Sequence, residues 1–417
     1  MSTDRPMNPE SLMMSYGYKP ELSEGSLKCP IFATSTFVFK SAQDGKRFFE
    51  LAYGLRDADA GEELGLIYSR LNNPDLEILE NRLKLWDNAE DCAVFESGMA
   101  AISTLMLEFL KPGMILLHSA PLYGGTHHFI RKVLPSFGIT NIEFESHETE
   151  EEIMARVEAA GAKGKIGLVY IETPCNPTNA IIDLEMVANL GRRLSSEDLR
   201  VFTACDNTYM GPMWQRPLKF GIDIAVYSAT KFIGGHSDVI AGSVSGSKES
   251  IGRLKVMRTF LGNMAGPWTG WLLMRSLETL KVRTDCMARN AEKVAQFLLN
   301  HPKVTLVRYL GFAEPGSRQA MLRDKQCDCN GSMISFEIDG KEADVFRFLD
   351  SLKLVHLAVS LGGTESLAEH PASMTHCDVS PEDRLRTGIS ESLVRLSVGV
   401  ENADDLIWDL NQALEAV

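Results

Sequence analysis

Between residues 66 and 270, apolar runs of strand length alternate with stretches of helical periodicity, and that alternation leaves few folds open. Met114–His118, Ile166–Ile171, Val201–Cys205 and Asp223–Tyr227 each read as a strand set between helical patterns. Parallel strands need a crossover, which here the helices supply, so one largely parallel sheet covered on both faces is expected. The expected class is α/β. The flanks differ. Residues 1–65 are polar and turn-rich, with a Gly/Asp-rich stretch from Gly54 to Gly65, and read as an arm or lid rather than core. Beyond about 270, Glu292–Asn300 places Val294, Phe297 and Leu298 on one helical face. Ser332–Ile338 alternates like a strand, Lys341–Ser351 is helical, and Val394–Val398 is another short strand. Asn402 is placed to cap a last helix, whose first turn carries Asp404 and Asp405 at the positive end of the dipole. The expected organisation is an arm over 1–65, a large domain over 66–270 and a smaller α+β domain over 271–417.

A formal charge of −14 over 417 residues sets up a field that repels polyanions, so neither nucleic acid nor an anionic membrane surface is an expected partner. No apolar run approaches the length of a membrane span and no leader pattern is apparent, which makes the cytoplasm the expected compartment. Eight scattered cysteines do not form a disulfide framework in a chain this long. Cys327-Asp-Cys329 lacks a second Cys/His pair, so no metal site is expected.

Three of the strands run directly into polar segments. Ile166–Ile171 is followed by Glu172-Thr-Pro-Cys-Asn-Pro177, Val201–Cys205 by Asp206-Asn-Thr208, and Asp223–Tyr227 by Ser228-Ala-Thr230-Lys231. In open parallel sheets the ligand crevice lies beyond the carboxyl ends of the strands. If these three strands are neighbours, Asn176, Asp206 and Lys231 converge there. A pyridoxal cofactor needs such a set: a lysine for the Schiff base, an acid to keep the ring nitrogen protonated, and an amide for the ring's phenolic oxygen. Phosphate has its own site. Ser97 is placed to cap the helical run Ala101–Leu110, leaving backbone N–H groups free near Gly98 and Met99, and Ser228 and Thr230 add hydroxyl donors.

Longer stretches carry a family resemblance. Ile67-Tyr68-Ser69-Arg70-Leu-Asn-Asn-Pro74, Phe95-Glu-Ser-Gly-Met-Ala100, Pro121-Leu-Tyr-Gly-Gly-Thr126 and Glu172-Thr-Pro-Cys-Asn-Pro177 resemble successive motifs of the Cys/Met-metabolism family of pyridoxal-phosphate enzymes. So do Asp206-Asn-Thr-Tyr209, Tyr227-Ser-Ala-Thr-Lys231, Val359-Ser-Leu-Gly-Gly363, His370-Pro-Ala-Ser-Met-Thr-His376 and Val394-Arg-Leu-Ser-Val-Gly399, in order from about residue 16 to the C-terminus. The resemblance implies an aspartate-aminotransferase-like fold, that of the fold type I pyridoxal 5'-phosphate enzymes, and a homotetramer of two catalytic dimers. It makes Lys231 the Schiff-base lysine and proton shuttle, Asp206 the partner of the ring nitrogen, and Tyr123 the residue stacked on the ring. Ser97, Gly98, Met99, Thr208, Ser228 and Thr230 complete the implied cofactor site on this chain. Tyr68 and Arg70, on the N-terminal side, would reach the phosphate of a neighbouring subunit. Arg395 would grip the substrate α-carboxylate with Ser360 and Asn176.

The implied chemistry is γ-elimination or γ-replacement on a homoserine-type amino acid. Cystathionine enzymes of the family tend to carry Glu immediately before the serine corresponding to Ser360; here that residue is Val359, which cannot hold a distal amino group. Methionine γ-lyases tend to carry Cys where this chain has Gly125, and a Lys-Asp pair that corresponds to Arg258-Thr259. The leading expectation is γ-elimination from methionine or a related amino acid, a non-sulfur substrate such as canavanine included. The alternatives are cystathionine γ-lyase, and γ-replacement as a cystathionine γ-synthase or O-acylhomoserine sulfhydrylase. A cofactor-binding regulator without catalysis is the alternative of another class, and the intact Lys231, Asp206 and Arg395 set speaks against it. His127 and His128 follow the Tyr123 loop and receive no role.

Overall fold

The structure is a computed structural model that describes residues 6–62 and 65–417; Glu63 and Leu64 of the expected arm, and residues 1–5, lie outside it. Seven strands form the first sheet: β1 (Asp91–Phe95), β2 (Ile115–Ala120), β3 (Thr140–Glu145), β4 (Ile166–Glu172), β5 (Phe202–Asp206), β6 (Ile224–Ser228) and β7 (Gly242–Gly246). Their order is β1-β7-β6-β5-β4-β2-β3, with β7 antiparallel to both neighbours and every other pairing parallel. Helices cover both faces, as a parallel sheet requires. The Gly98–Phe109 helix packs Ala101, Leu105 and Met106 against Phe95, Leu116 and Tyr170 on one side. Helices Glu150–Ala159 and Leu184–Leu194 pack Ile153, Val187 and Leu190 against Val169 and Ile171 on the other.

β7 reads Gly-Ser-Val-Ser-Gly, which carries little strand signal. Its composition has a steric cause. A Cβ on Gly242 would lie 2.2 Å from the Ser97 carbonyl oxygen, and one on Gly246 2.7 Å from that of Asp223. The start of the Gly98–Phe109 helix presses on one end of the strand and the Asp223 carbonyl on the other, so each end needs glycine.

A second sheet, in order β10-β11-β12-β9-β8, is built from β8 (Val304–Arg308), β9 (Met333–Ile338), β10 (His356–Leu357), β11 (Leu367–Glu369) and β12 (Leu393–Ser397). Phe336, Val394 and Leu396 pack there against Val294 and Leu298 of the Leu280–Leu299 helix and Leu410 of the Ala403–Glu415 helix. Asn402 caps that last helix through the Asp404 N–H at 2.8 Å.

Two expectations need correction. The segment before residue 65 is not wholly outside the core. Met13 is fully buried and Cys29 nearly so, against Leu76, Leu79 and Leu83 of the Pro74–Asp87 helix. The Phe32 N–H donates to Asp75 Oδ2 at 2.7 Å, and Asn73 Nδ2 donates to the Phe32 carbonyl at 3.1 Å. Single apolar side chains in a turn-rich stretch leave no period to read. The helix expected over 292–300 starts at Leu280. Its first half buries polar side chains: Arg283 donates to the Phe232 and Ser276 carbonyls at 3.1 and 3.0 Å, and Asn290 to those of Gly399 and Glu401 at 3.1 and 2.7 Å. Apolar periodicity is masked where a helix buries its polar face. No helix among the described residues is long and apolar enough to cross a membrane, and no three of their His, Cys, Asp and Glu side chains cluster to hold a metal.

Candidate active site

β4, β5 and β6 are adjacent, and β4 and β5 align so that Glu172 stands opposite Asp206 at their carboxyl ends. Beyond that edge opens a cavity of about 300 Å3. Ser97, Gly98, Met99, Tyr123, Asn176, Asp206, Thr208, Ser228, Thr230, Lys231, Ser360 and Arg395 all line it. Tyr68 and Arg70 do not. Arg70 Nη1 donates to the Thr259 carbonyl at 2.9 Å, its guanidinium lies 5.8 Å from the centre of the exposed Tyr68 ring, and neither touches this chain's own cavity.

One end of the cavity suits an anion. Ser97 Oγ accepts the Ala100 N–H at 3.0 Å, which caps the Gly98–Phe109 helix and leaves the first N–H groups without intrahelical acceptors. A Cβ on Gly98 would come within 2.9 Å of Ser228 Cβ, so glycine is what lets the helix start approach the β6 end. Thr208 Oγ1 accepts the Ser228 N–H at 2.7 Å, and Thr230 Oγ1 accepts the Ala241 N–H at 3.0 Å, which fixes both loops.

The other end carries the ionisable groups. Asp206 is buried; Oδ1 accepts the Thr208 N–H at 3.0 Å and Oδ2 the Tyr170 hydroxyl at 3.2 Å. Burial raises its pKa, and burial together with the Asp206 charge raises that of Glu172. Glu172 had no role in the motif reading. It accepts the Tyr123 N–H at 2.8 Å and the Asn176 N–H at 3.0 Å, so one carboxylate ties two cavity loops together. Lys231 Nζ donates to Ser360 Oγ at 2.8 Å. Burial, then the nearby Arg395 charge, bring the Lys231 pKa down to about 8, with Glu369 opposing. Ser360 sits at φ 106°, a conformation few non-glycine residues adopt, and such strain persists where surrounding contacts hold it.

Arg395 is almost completely buried on β12. Its Nη2 donates to the Ser360 carbonyl at 2.6 Å, and its Nη1 reaches Asn176 Oδ1 at 3.1 Å and Glu369 Oε1 at 2.7 Å. Glu369, Thr375, Tyr209 and Ile240 are site residues that the motifs alone did not single out. Tyr209, Thr375 and Glu369 lie inside or beside quoted motifs, and only the fold shows that they face Arg395 or the cavity. Arg258 is sealed inside the large sheet's helical layer against Glu80 at 2.6 Å and does not line this chain's cavity. A long side chain in the third turn of the Lys248–Leu261 helix faces where the helix phase sends it, which motif position does not reveal. His127 is half-buried and His128 is exposed against Asp378 at 3.3 Å; neither lines the cavity.

A lysine with a lowered pKa, a buried carboxylate at the end of the adjacent strand and a helix N-terminus face one cavity, in a fold of the type I pyridoxal-phosphate class. The donors fit that cofactor, with room left by Gly98 for its phosphate. The Cys/Met metabolism PLP-dependent enzyme family model matches residues 10–415. The chain is 39% identical to the L-methionine gamma-lyase of Fusobacterium nucleatum subsp. polymorphum, over 94% of each chain. It is 41% identical to the human cystathionine gamma-lyase over 85% of each. The solved cystathionine gamma synthase of Xanthomonas oryzae pv. oryzae, in complex with aminoacrylate and cysteine, matches with a TM-score of 0.87 and 31% identity over 99% of each chain. The chain belongs to the Cys/Met-metabolism family of pyridoxal-phosphate-dependent enzymes. Its cofactor is pyridoxal 5'-phosphate, and its class of chemistry is γ-elimination or γ-replacement.

Proposed function

We propose that the enzyme catalyses γ-elimination on a homoserine-type amino acid whose γ-substituent is uncharged, with methionine as the reference substrate. One observation carries this: Val359, beside Ser360, lines the cavity together with Ile240 and Leu361, so the wall beyond Ser360 offers apolar contact and no ionic partner. A hydrophobic wall discriminates against a distal charge that it cannot solvate. The L-methionine gamma-lyase relatives support the same reading.

Bound pyridoxal phosphate supplies the electron sink that acidifies the substrate α-hydrogen. Lys231 takes that proton from Cα. Its lowered pKa keeps a useful fraction of neutral amine near pH 7 to 8. Once it has passed that proton on, the amine is again free to take one from Cβ, and the γ-substituent leaves with a proton that Tyr123 would supply. Asp206 holds the ring nitrogen protonated, and Tyr123 covers the ring and serves proton transfer at the leaving atom. Arg395, with Asn176 and Ser360, orients the α-carboxylate. Ser97, Gly98, Met99, Thr208, Ser228 and Thr230 hold the phosphate end.

The test is parallel release of 2-oxobutanoate from methionine, homocysteine, cystathionine, O-acetylhomoserine and canavanine, with homoserine assayed alongside. Methionine is expected to turn over without added nucleophile, about 10- to 100-fold faster than cystathionine in kcat/KM. Release seen only as thioether on adding a thiol would make the enzyme a γ-synthase, and turnover confined to canavanine would make it a non-sulfur lyase.

Tyr68 and Arg70 complete the phosphate site of a neighbouring subunit in a homotetramer. Replacing Arg70 with Ala is expected to weaken cofactor retention about tenfold, followed by absorbance after dialysis. Unchanged retention would remove Arg70 from the site. The unpaired state of all eight cysteines accords with a reducing, cytoplasmic setting.

A further inference from the structure

A guanidinium has five N–H donors, and those of Arg395 are unequally engaged. Nη1 donates to Asn176 Oδ1 at 3.1 Å and stands 2.7 Å from Glu369 Oε1 in an ion pair, so two protein oxygens already crowd it. Nη2 gives one hydrogen to the Ser360 carbonyl at 2.6 Å. Nε is buried and has no partner. The donors left without a protein partner are Nε–H and one hydrogen of Nη2, and the Nε/Nη2 edge of a guanidinium can meet the two oxygens of a carboxylate.

Glu369 sets this arrangement. It stands directly opposite Arg395 in the β11–β12 pairing, so both side chains project from the same face. Its side chain is completely buried, which makes an unpaired position for either partner costly. Thr375 Oγ1 donates to Glu369 Oε1 at 2.9 Å and pins the carboxylate that Arg395 meets. With Nη1 crowded by Glu369 and Asn176, the Nη1/Nη2 edge is the less open of the two for a substrate carboxylate.

We propose that Glu369 is a positioning residue for substrate recognition: by occupying Nη1 of Arg395 it leaves the Nε/Nη2 edge as the fork that receives the α-carboxylate, and so sets where Cα stands relative to Lys231. This rests on the reading that Arg395 binds that carboxylate. The function is one of reach rather than of charge, because the acceptor's position crowds Nη1.

The experiment separates reach from charge in the holoenzyme. Norleucine, which has methionine's shape but no leaving group, and norleucinamide, which lacks the carboxylate, are titrated by cofactor absorbance and by calorimetry. Glu369→Gln keeps the reach and loses the charge; Glu369→Asp keeps the charge and draws the acceptor back by one methylene. Glu369→Asp is expected to weaken norleucine about tenfold with norleucinamide unchanged, and to lower kcat for methionine more than it raises KM. Glu369→Gln is expected to keep the wild-type preference for the acid within about threefold. Wild-type behaviour of Glu369→Asp overturns the proposal, as does equal weakening of acid and amide in either variant. Should wild type and Arg395→Leu prefer the acid over the amide to the same extent, it is the carboxylate role of Arg395 that falls, and Glu369 with it.

Discussion

Lys231→Ala is expected to lower turnover of the preferred amino acid by about 10^4-fold or more while leaving the protein folded and able to bind its cofactor. Three structural facts set the size. Lys231 is the amine in a cavity whose other cation, the Arg395 guanidinium, cannot give up a proton. Its pKa is brought down to about 8 by burial and by Arg395, so it is the group poised to exchange protons near neutrality. Its Nζ donates to Ser360 Oγ at 2.8 Å. Removing the side chain empties that position and leaves the Ser97-capped helix start at the other end of the cavity untouched. Keto-acid release and cofactor absorbance are the measurements. Turnover within tenfold of wild type would sink the lysine assignment, whereas retained colour with lost turnover separates chemistry from binding.

Arg258→Ala is expected to destabilise the fold by roughly 3–5 kcal/mol with little effect on the site of its own chain. Arg258 and Glu80 are both almost wholly buried and meet at 2.6 Å; Arg258 also donates to the Val94 carbonyl at 2.6 Å, and Glu80 accepts the Val94 N–H at 2.9 Å. The pair therefore staples the Pro74–Asp87 helix and the Lys248–Leu261 helix to β1. Truncation leaves Glu80 with Lys255 at 3.2 Å as its remaining cation. Burial acts to raise the Glu80 pKa, and Arg258 and Lys255 outweigh it, so the folded value is lowered. A depressed carboxylate contributes stability above its unfolded pKa and loses it as pH falls through the folded one. The loss in Arg258→Ala should therefore be largest near neutral pH and shrink in acid. Urea midpoints across pH measure it, and a Glu80→Leu, Arg258→Leu double variant should recover much of the loss.

What could be read from the sequence, and what could not, divides along physical lines. β4, β5 and β6 announced themselves through Val, Ile and Tyr runs that stop at polar segments, and their adjacency brings Asn176, Asp206 and Lys231 together as expected. Ser97 and Asn402 were legible because a cap needs a particular side chain at a particular place. β7 was not, since its two end glycines answer to crowding by Ser97 and by Asp223 rather than to strand propensity. Met13 and Cys29 contribute single side chains to a core whose pattern lies elsewhere. Glu369 precedes a quoted motif by one residue, yet its meaning depends on a cross-strand partner 26 positions later, which no local pattern encodes. Arg258 shows a related limit: a marker position in the sequence does not say which way a helical side chain faces, and helix phase turns this one into the core.

The contact between Lys231 and Ser360 has a consequence for how the enzyme fails. Lys231 follows a strand of the seven-stranded sheet, whereas Ser360 and Arg395 belong to the five-stranded one, and Asn176 bridges back to the first. The reactive centre is thus a seam between the two sheets, joined by apolar side chains from both sides, Trp214 and Phe232 with Met287, Met333 and Leu361. A slip of an ångström along that seam would silence the chemistry while leaving helix and strand content intact. Activity is accordingly the most delicate gauge of this molecule's integrity, and on gentle heating it should fade before circular dichroism registers any loss.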